Sequence, residues 1–454
     1  MVQSAPMRHQ GVYRWTLFAL LIVIVISPLL YWSTGIGQSA AGLSAEISHQ
    51  PDGTPVSSPK AMALHRLSLP MRVERLLIYP LLLICFQLSG GSLALRRWLE
   101  ERAQPGLSSR PTRLMGTWGW VGRLAPRTWR QRMPGRDLRV ILLLALALQV
   151  ALSLLEFPLD FYNGFVLAHQ FGLSTQTLVG WASDWSKNSL IALVMNGLGW
   201  AGLYSLMRLV PHRWPIPAGA LMMLLSVVLV LITPVLITPL FYKVQPLVDP
   251  ALRARILTLA ERAGMDGDEV YVINASAKTT RVNAYFTGLG DARRIVLYDT
   301  LLRGYTPDQV EVVLAHEMGH WYYRHVAVGL LGAGAASWIG LFGLRWLLGR
   351  TWRLLGLSGP ADPAGLPYLM AAVAIVAALA LPVQNSLSRY GESQADRFSL
   401  ALSQKPAASV ELLERLAVHN LSVVDAPAWE RFIFYTHPPI VERIRMAERH
   451  TETN

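Results

Sequence analysis

Long apolar runs separated by polar segments dominate the hydrophobic pattern of this chain. Seven runs of 17 to 27 residues contain almost no charge, and each is close to the ~20 residues that a helix needs to cross a bilayer. The runs are Trp15–Trp32, Leu76–Leu95, Val140–Phe157, Ser189–Met207, Ile216–Tyr242, Val326–Leu348 and Pro367–Val383. The pattern therefore predicts a mainly α, polytopic membrane protein with about seven transmembrane helices. Composition agrees, since 15% of residues are charged against roughly 25% in soluble domains.

The polar segments divide the chain into five predicted units. Residues 1–140 hold two spans, a polar loop over 34–74 and a loop rich in arginine and tryptophan. Residues 141–242 hold the central spans and a loop over 158–188, and residues 326–383 hold the last two spans. The prolines Pro234 and Pro239 are expected to kink the fifth span without preventing it. The first span is interpreted as an uncleaved anchor because aromatic residues, not a small-residue cleavage site, follow it.

The remaining two units, 243–325 and 384–454, have patterns of water-soluble structure. The first reads as a small α+β unit, with a helix over Leu252–Ala263, a strand over Glu269–Ile273 and a hairpin. Its hairpin strands are predicted at Ala284–Gly288 and Ile295–Tyr298, around a turn at 288–291. The second is helical, with predicted segments Ala395–Leu402, Ala408–Asn420 and Pro439–Arg449.

The pentapeptide His316-Glu317-Met318-Gly319-His320 carries the clearest chemistry. Histidines four residues apart lie one turn apart on one face of a helix, so both imidazoles can reach a single Zn²⁺ ion. Glu317 is then placed to take a proton from a water activated by the ion. The upstream sequence favours a helix, because Thr306 can cap it, Pro307 suits its first position and Gln309 completes a capping box.

A catalytic zinc site needs a third protein ligand from outside the pentapeptide. No histidine stands six residues after His320, and His325, five residues on, is expected to point away from the ligand face in a structural or interfacial role. A carboxylate is therefore favoured. Glu392 follows the last span, and Asp396 lies one turn later, suited to hydrogen-bond a zinc-bound histidine. The same pair could instead form a solvated acidic face beside Arg389 and Arg397.

Several motifs together resemble the type I CAAX prenyl endopeptidases. They are the pentapeptide followed by Trp321, the segment 388–396, the segments 160–177 and 238–247, Asn283-Ala284-Tyr285, and Thr436-His437-Pro438-Pro439 with Arg443. The resemblance covers about residues 155–446 and implies an integral-membrane zinc protease whose helices enclose a large chamber. It implies one zinc ion held by His316, His320 and Glu392, and His437 as a partner of the oxyanion.

The expected partners follow from these residues. Substrates are expected to be peptides or proteins, including lipidated ones, with the lipid bilayer as the surrounding phase. Asn283, at the start of a predicted edge strand, is expected to position an extended substrate. A different class, a transporter or channel with a vestigial metal helix, is disfavoured, because no matching interrupted spans suggest an inverted repeat and Glu317 is retained.

The distribution of the net charge of +12 bears on location. Eleven arginines stand between Arg96 and Arg139, interleaved with tryptophans. Between two spans, this composition predicts contact with anionic lipid headgroups and not with nucleic acid. The predicted location is the cell (inner) membrane. The positive-inside rule puts this loop in the cytoplasm and the catalytic segments outside, whereas the family resemblance implies a catalytic domain reached from the cytosol. We favour the outward orientation.

Overall fold

The structure, a computed structural model, describes residues 10–33, 42–102, 135–265, 269–287 and 294–453. Most of the predicted loop over 96–139, part of the loop over 34–74 and the turn at 288–291 lie outside these residues. The described residues contain six strands and fourteen α-helices of six or more residues. The helices are α1 Gln10–Ser33, α2 Pro59–Leu88, α3 Gly91–Arg102, α4 Gly135–Phe161, α5 Leu178–Leu209, α6 Pro215–Ile232, α7 Pro250–Arg262, α8 Asp299–Gly304, α9 Pro307–Tyr322, α10 His325–Thr351, α11 Leu366–Ser403, α12 Pro406–Asn420, α13 Ala428–Phe434 and α14 Ile440–Thr453.

Each of the seven apolar runs is almost entirely helical. Five helical segments are long and apolar enough to cross a membrane, and the bent pair of α2 and α3 makes a sixth. The described apolar part of α1, Tyr13–Val23, is shorter. The expectation of a mainly α multi-pass protein with about seven spans is confirmed in outline.

The second run is divided between two helices, because α2 and α3 meet at an angle of 66° beside Gly90, whose φ of 79° suits a residue without a Cβ. Two local expectations were wrong. The loop over 158–188 is mostly helix, since α4 continues through a π turn to Gln170 and α5 begins at Leu178. The loop over 34–74 contains a short hairpin, β1 Ser48–His49 with β2 Pro55–Val56, and the first residues of α2.

As expected, the prolines of the fifth span do not prevent it. Pro234 lies in a π turn over Thr233–Ile237, after which the helix resumes for Thr238–Phe241. Pro234, which lacks an N–H, falls within this irregular turn, and the span continues as one helical segment to Phe241.

The α+β unit is confirmed, with one strand more than predicted. Its strands are β3 Val244–Pro246, β4 Glu269–Ile273, β5 Ala284–Thr287 and β6 Arg294–Tyr298, in the order β3-β4-β6-β5. β5 pairs antiparallel with β6 in the register Ala284↔Leu297, and β4 runs parallel to β6. The sheet packs on α7 and α9 through a core that includes Ile256, Leu297 and Leu314, all fully buried. β5 is thus an edge strand next to α9.

The predicted C-terminal helices are present, but the first of them belongs to a longer element. Ala395–Leu402 is the end of α11, whose 38 residues extend about 57 Å at 1.5 Å per residue. This length is about twice the thickness of the hydrocarbon core, so its apolar first half can span the membrane while its second half projects beyond it.

Candidate active site

Helix α9 presents both histidines of the pentapeptide. It begins with the predicted capping box, in which Gln309 N–H donates to Thr306 Oγ1 at 3.3 Å and Thr306 N–H donates to Gln309 Oε1 at 3.2 Å. Val310 and Leu314 are buried in the sheet core, which orients the opposite face toward α11. His316 and His320 lie on that face, with ring centroids 4.9 Å apart.

Close packing of α9 on α11 brings the carboxylates to these histidines. A Cβ added to Gly319 would come within 2.9 Å of the Ala395 Cα, so only a glycine permits this approach. Ser399 Oγ also donates across the contact to the Val312 carbonyl at 2.7 Å. The glycine of the pentapeptide therefore sets the distance between the two helices.

Three side chains form a candidate metal site. His316 Nε2 lies 3.1 Å from Glu392 Oε2, His320 Nε2 lies 3.5 Å from Glu392 Oε1, and the two Nε2 atoms are 3.2 Å apart. Ligands at about 2.0–2.2 Å from a tetrahedral zinc ion would be about 3.4 Å from one another. The donor set of two imidazoles and one carboxylate, at these spacings, thus fits a zinc ion with one open position.

Asp396 and Arg443 support His316 from behind. His316 Nδ1 lies 2.9 Å from Asp396 Oδ1, off the direction of a straight hydrogen bond. Arg443 donates to both oxygens of Asp396, from Nε at 2.8 Å and from Nη2 at 2.6 Å. Burial lowers the pKa of His316, but the carboxylates of Asp396 and Glu392 outweigh it and raise the pKa to about 10. The surroundings therefore favour a positive charge at this ring, as a bound cation would provide.

A second chain of contacts orients His320. Its Nδ1 lies 2.9 Å from His325 Nδ1, and His325 Nε2 lies 3.2 Å from Gln394 Oε1. The amide oxygen of Gln394 can only accept, so His325 carries its proton on Nε2 and accepts at Nδ1. His320 must then donate from Nδ1, which leaves the lone pair of Nε2 for the metal. His325 was expected to point away from the ligand face in a structural role. It is not one of the three candidate ligands, and its ring contacts the Nδ1 atom of His320, on the opposite side of that ring from Nε2.

The predicted catalytic side chains share one cavity. A cavity of about 560 Å³ is lined by Glu317, His316, His437 and Asn283, with Arg443 and Asp396 in its wall. His437 Nε2 lies 3.3 Å from Glu392 Oε2, and its Nδ1 lies 2.9 Å from Thr436 Oγ1. His437 lies on the cavity wall, where 55% of its side chain is exposed to the cavity or to solvent. Partial removal from water by the surrounding protein lowers its pKa. A neutral His437 can donate one proton into the cavity.

Asn283 precedes the edge strand β5, on the wall that faces α9. Its side-chain oxygen accepts from the Ala284 N–H at 2.9 Å, and its carbonyl accepts from the Tyr298 N–H of β6 at 3.2 Å. The structure thus brings together all seven predicted site residues. Sequence reasoning assigned no site role to Gly319 or Gln394, and it named Arg443 only as part of a motif. The signal for Arg443 was its position six residues after His437, one turn into the next helix.

The chain matches family models over two consecutive segments. Residues 113–243 match the CAAX prenyl protease N-terminal family with five membrane helices, and residues 246–451 match peptidase family M48. The uncharacterized metalloprotease YhfN of Bacillus subtilis is 30% identical, over 96% of this chain and 97% of its own length. CAAX prenyl protease 1 of Saccharomyces cerevisiae is 30% identical, over 64% of this chain and 68% of its own length.

A solved structure shares the fold. The crystal structure of S. mikatae Ste24p superposes with a TM-score of 0.64 at 22% identity, and the match covers 94% of this chain and 98% of that one. The family resemblance, the membrane-spanning architecture and the metallopeptidase class are confirmed by these matches together. The chain belongs to peptidase family M48 and is a multi-pass membrane metalloendopeptidase.

Proposed function

We propose that zinc is the metal of this endopeptidase and that His316, His320 and Glu392 hold it. The observation that carries the proposal is the convergence of three ligand atoms within 4.8 Å of one another, one of them on His316, which lines the same cavity as Glu317. Two nitrogens and one carboxylate oxygen suit zinc better than magnesium or calcium, which prefer oxygen ligands. Asp396 and His325 hold the two imidazoles in orientation.

The side chains of the cavity divide the reaction among them. Zinc, when bound, supplies a Lewis acid and a water molecule whose pKa is lowered toward 7. Glu317 accepts the proton of the attacking water at its carboxylate and returns it to the leaving amine. His437 donates from Nε2 to the oxygen that becomes negative, and Thr436 can hold the opposite nitrogen by donating to it. Asn283 and β5 hold the substrate extended across the cavity.

The natural substrates are proposed to be peptide segments at a membrane, including CAAX-like and lipidated tails. The relatives named CAAX prenyl protease 1 support this class of substrate. The alternative within the same chemistry is a quality-control protease with no requirement for a prenyl group, which an open cavity would also serve. No nucleic-acid partner is proposed, because the arginine-rich loop lies between two membrane spans.

Metal analysis of the purified full-length protein, followed by a peptide cleavage assay, tests the proposal. We expect about one zinc per chain, loss of cleavage in a chelator and recovery when zinc is returned. Cleavage that persists after complete removal of the metal would refute it. Comparison of matched peptides with and without a prenylated cysteine then separates the two substrate classes.

A further inference from the structure

His437 lies in a short connection between two helices and not within a helix of its own. Thr436 and His437 follow α13, which has seven residues, and they precede α14, which begins at Ile440. A helix as short as α13 is not stable by itself in water, so contacts with the rest of the protein must fix its position. The location of His437 beside the metal site therefore depends on the groups that hold this part of the chain.

Arg389 of α11 holds the main chain directly before His437. Its Nη1 donates to the carbonyl of Arg431 at 2.7 Å and to the carbonyl of Tyr435 at 2.6 Å, and its Nη2 donates to Ser386 Oγ at 2.7 Å. The last carbonyls of a helix lack partners within it, and a positive charge at that end is favourable. The guanidinium group thus closes the C-terminal end of α13, two residues before His437.

A second side chain of α11 also holds α13. Asn385 is buried, and its Nδ2 donates to the Ile433 carbonyl at 2.5 Å. Asn385, Arg389 and Glu392 are spaced by four and three residues, so they share one face of α11. The face that presents the metal ligand therefore also holds the helix that leads to His437.

The chain after His437 is attached to the same helix. The two residues that follow His437 are buried prolines, and Arg443, one turn into α14, donates to both oxygens of Asp396. Arg389 and Asp396 stand one turn before and one turn after Glu392 on α11. The two attachments flank the contact between His437 Nε2 and Glu392 Oε2, which are 3.3 Å apart.

The separation of His437 from the metal site matters because a donor to an oxyanion acts only over a narrow range, about 2.7–3.1 Å. A displacement of about 1 Å in such a group can reduce the rate about 100-fold. Without Arg389, the carbonyls of Arg431 and Tyr435 lose the donor that ties them to α11. His437 can then shift while Glu392 keeps its place on α11.

We propose that Arg389 is a positioning residue for His437, and that it acts through the main chain of α13 to fix the distance between His437 and the metal ligand Glu392. This inference rests on the proposed roles of His437 and of the zinc site, and it adds the group that sets their separation. Arginine suits the role because its guanidinium presents several N–H donors in a rigid plane, whereas the lysine ammonium is a point charge on a flexible chain.

Substitution of Arg389 in the zinc-loaded full-length protein tests the proposal. Arg389→Ala should lower kcat for a peptide substrate on the order of 10- to 100-fold, with little change in KM and with zinc retained. Arg389→Lys should recover part of the loss. Arg397→Ala, which removes an exposed arginine two turns further along α11, should leave kcat and KM unchanged. An unchanged kcat in Arg389→Ala would overturn the proposal.

A double variant distinguishes positioning of His437 from general support of α11. If Arg389 acts through His437, Arg389→Ala should cause almost no further loss of kcat in the His437→Phe protein. A loss of full size in that background would overturn the proposal, and so would loss of zinc from the Arg389→Ala single variant.

Two measurements without turnover separate failure of this inference from failure of the proposed function. A phosphinic peptide imitates the tetrahedral intermediate, so its affinity for Arg389→Ala should fall by about the same factor as kcat/KM. Exchange of the main-chain amide hydrogens over residues 431–439 should be faster in Arg389→Ala and unchanged in Arg397→Ala.

A wild-type protein that cleaves no peptide would refute the proposed function, and amide exchange would still report on the contact with α13. Exchange over 431–439 that Arg389→Ala leaves unchanged would overturn the inference. Faster exchange with undiminished affinity for the phosphinic peptide would also overturn it, because the contact would then hold α13 without positioning His437.

Discussion

Glu317 is the residue whose role is easiest to isolate, because it lines the cavity without belonging to the three ligand side chains. Glu317→Gln keeps the size of the side chain and removes the base. We expect cleavage to fall below detection while zinc stays bound at about one per chain. Elemental analysis and a cleavage assay on the same preparation check this, and near-normal turnover would exclude Glu317 as the base.

Glu392 and Asp396 should respond differently, although they lie one turn apart on α11. Glu392→Ala reduces three ligands to two, so we expect zinc to be lost on purification. Asp396→Ala leaves the ligands but frees the His316 ring and strands Arg443, so we expect metal affinity to weaken about 10–100-fold. Competition with a chelator of known affinity measures both. A zinc content of about one per chain in the Glu392→Ala variant would mean that another side chain is the third ligand. Asp396 and His437 would be the next candidates.

The series of contacts from His320 through His325 to Gln394 predicts that substitutions of His325 and Gln394 have the same effect on zinc binding. His325→Ala and Gln394→Ala should each weaken zinc binding about 10–100-fold, because each frees the His320 ring to rotate or change tautomer. The double variant should be little worse than either single one, since both break the same chain of contacts. His212→Ala, at an exposed turn after α5, is the matched control. Additive losses would argue against a single chain.

His437 should act on the rate more than on binding. His437→Phe keeps a ring but removes the donor, so we expect kcat to fall on the order of 100–1,000-fold with little change in KM and with zinc retained. Steady-state kinetics beside metal analysis give the answer. A raised KM at constant kcat would make His437 a substrate-binding residue instead.

The site residues that could be predicted from the sequence alone are those spaced along one helix. His316, Glu317 and His320 are recognisable because their geometry is local. Glu392 stands 72 residues after His320, and only the family resemblance distinguished it from a solvated acidic residue. The support from Gln394 could not be predicted, because a hydrogen-bond chain through His325 exists only once α9, α10 and α11 are packed.

At the scale of the element, Gly319 sets the contact between α9 and α11. Gly319→Ala should raise helix propensity by about 1 kcal/mol but force the helices apart at the Ala395 backbone, with a net destabilisation of about 1–3 kcal/mol. Zinc affinity should fall with it, since Glu392 moves away from the histidines. Gly329→Ala, on α10 with open space around it, is the control. Thermal unfolding with and without zinc measures both effects.

Element prediction succeeded where the signal lay within the element and failed where pairing or packing decided. The capping box and β4 were located from their own residues. β3 was missed because three residues that include Pro246 form a strand only by pairing with β4. The continuity of α11 was missed because its hydropathy changes halfway, although its backbone does not.

At the scale of the whole molecule, orientation in the membrane remains the open prediction. The charge distribution favours a catalytic domain outside the cytoplasm, and the bend between α2 and α3 bears directly on the number of crossings. A C-terminal reporter that is active only outside the cytoplasm should then be active. A silent reporter, together with a cytoplasmic fluorescent fusion that is bright at the same position, would place the active site in the cytosol.

The length of α11 has a consequence for the choice of substrate. Glu392 lies nine residues after Val383, the end of the apolar run, which puts the metal site about 14 Å beyond that point along a continuous rod. Because α11 also carries the membrane-spanning apolar run, it fixes the distance between the membrane surface and the position at which a peptide bond is cleaved. A membrane-attached peptide can be cleaved only if its chain is long enough to extend from the bilayer surface to the metal site. The length of this extended segment therefore selects substrates before their sequence is recognised.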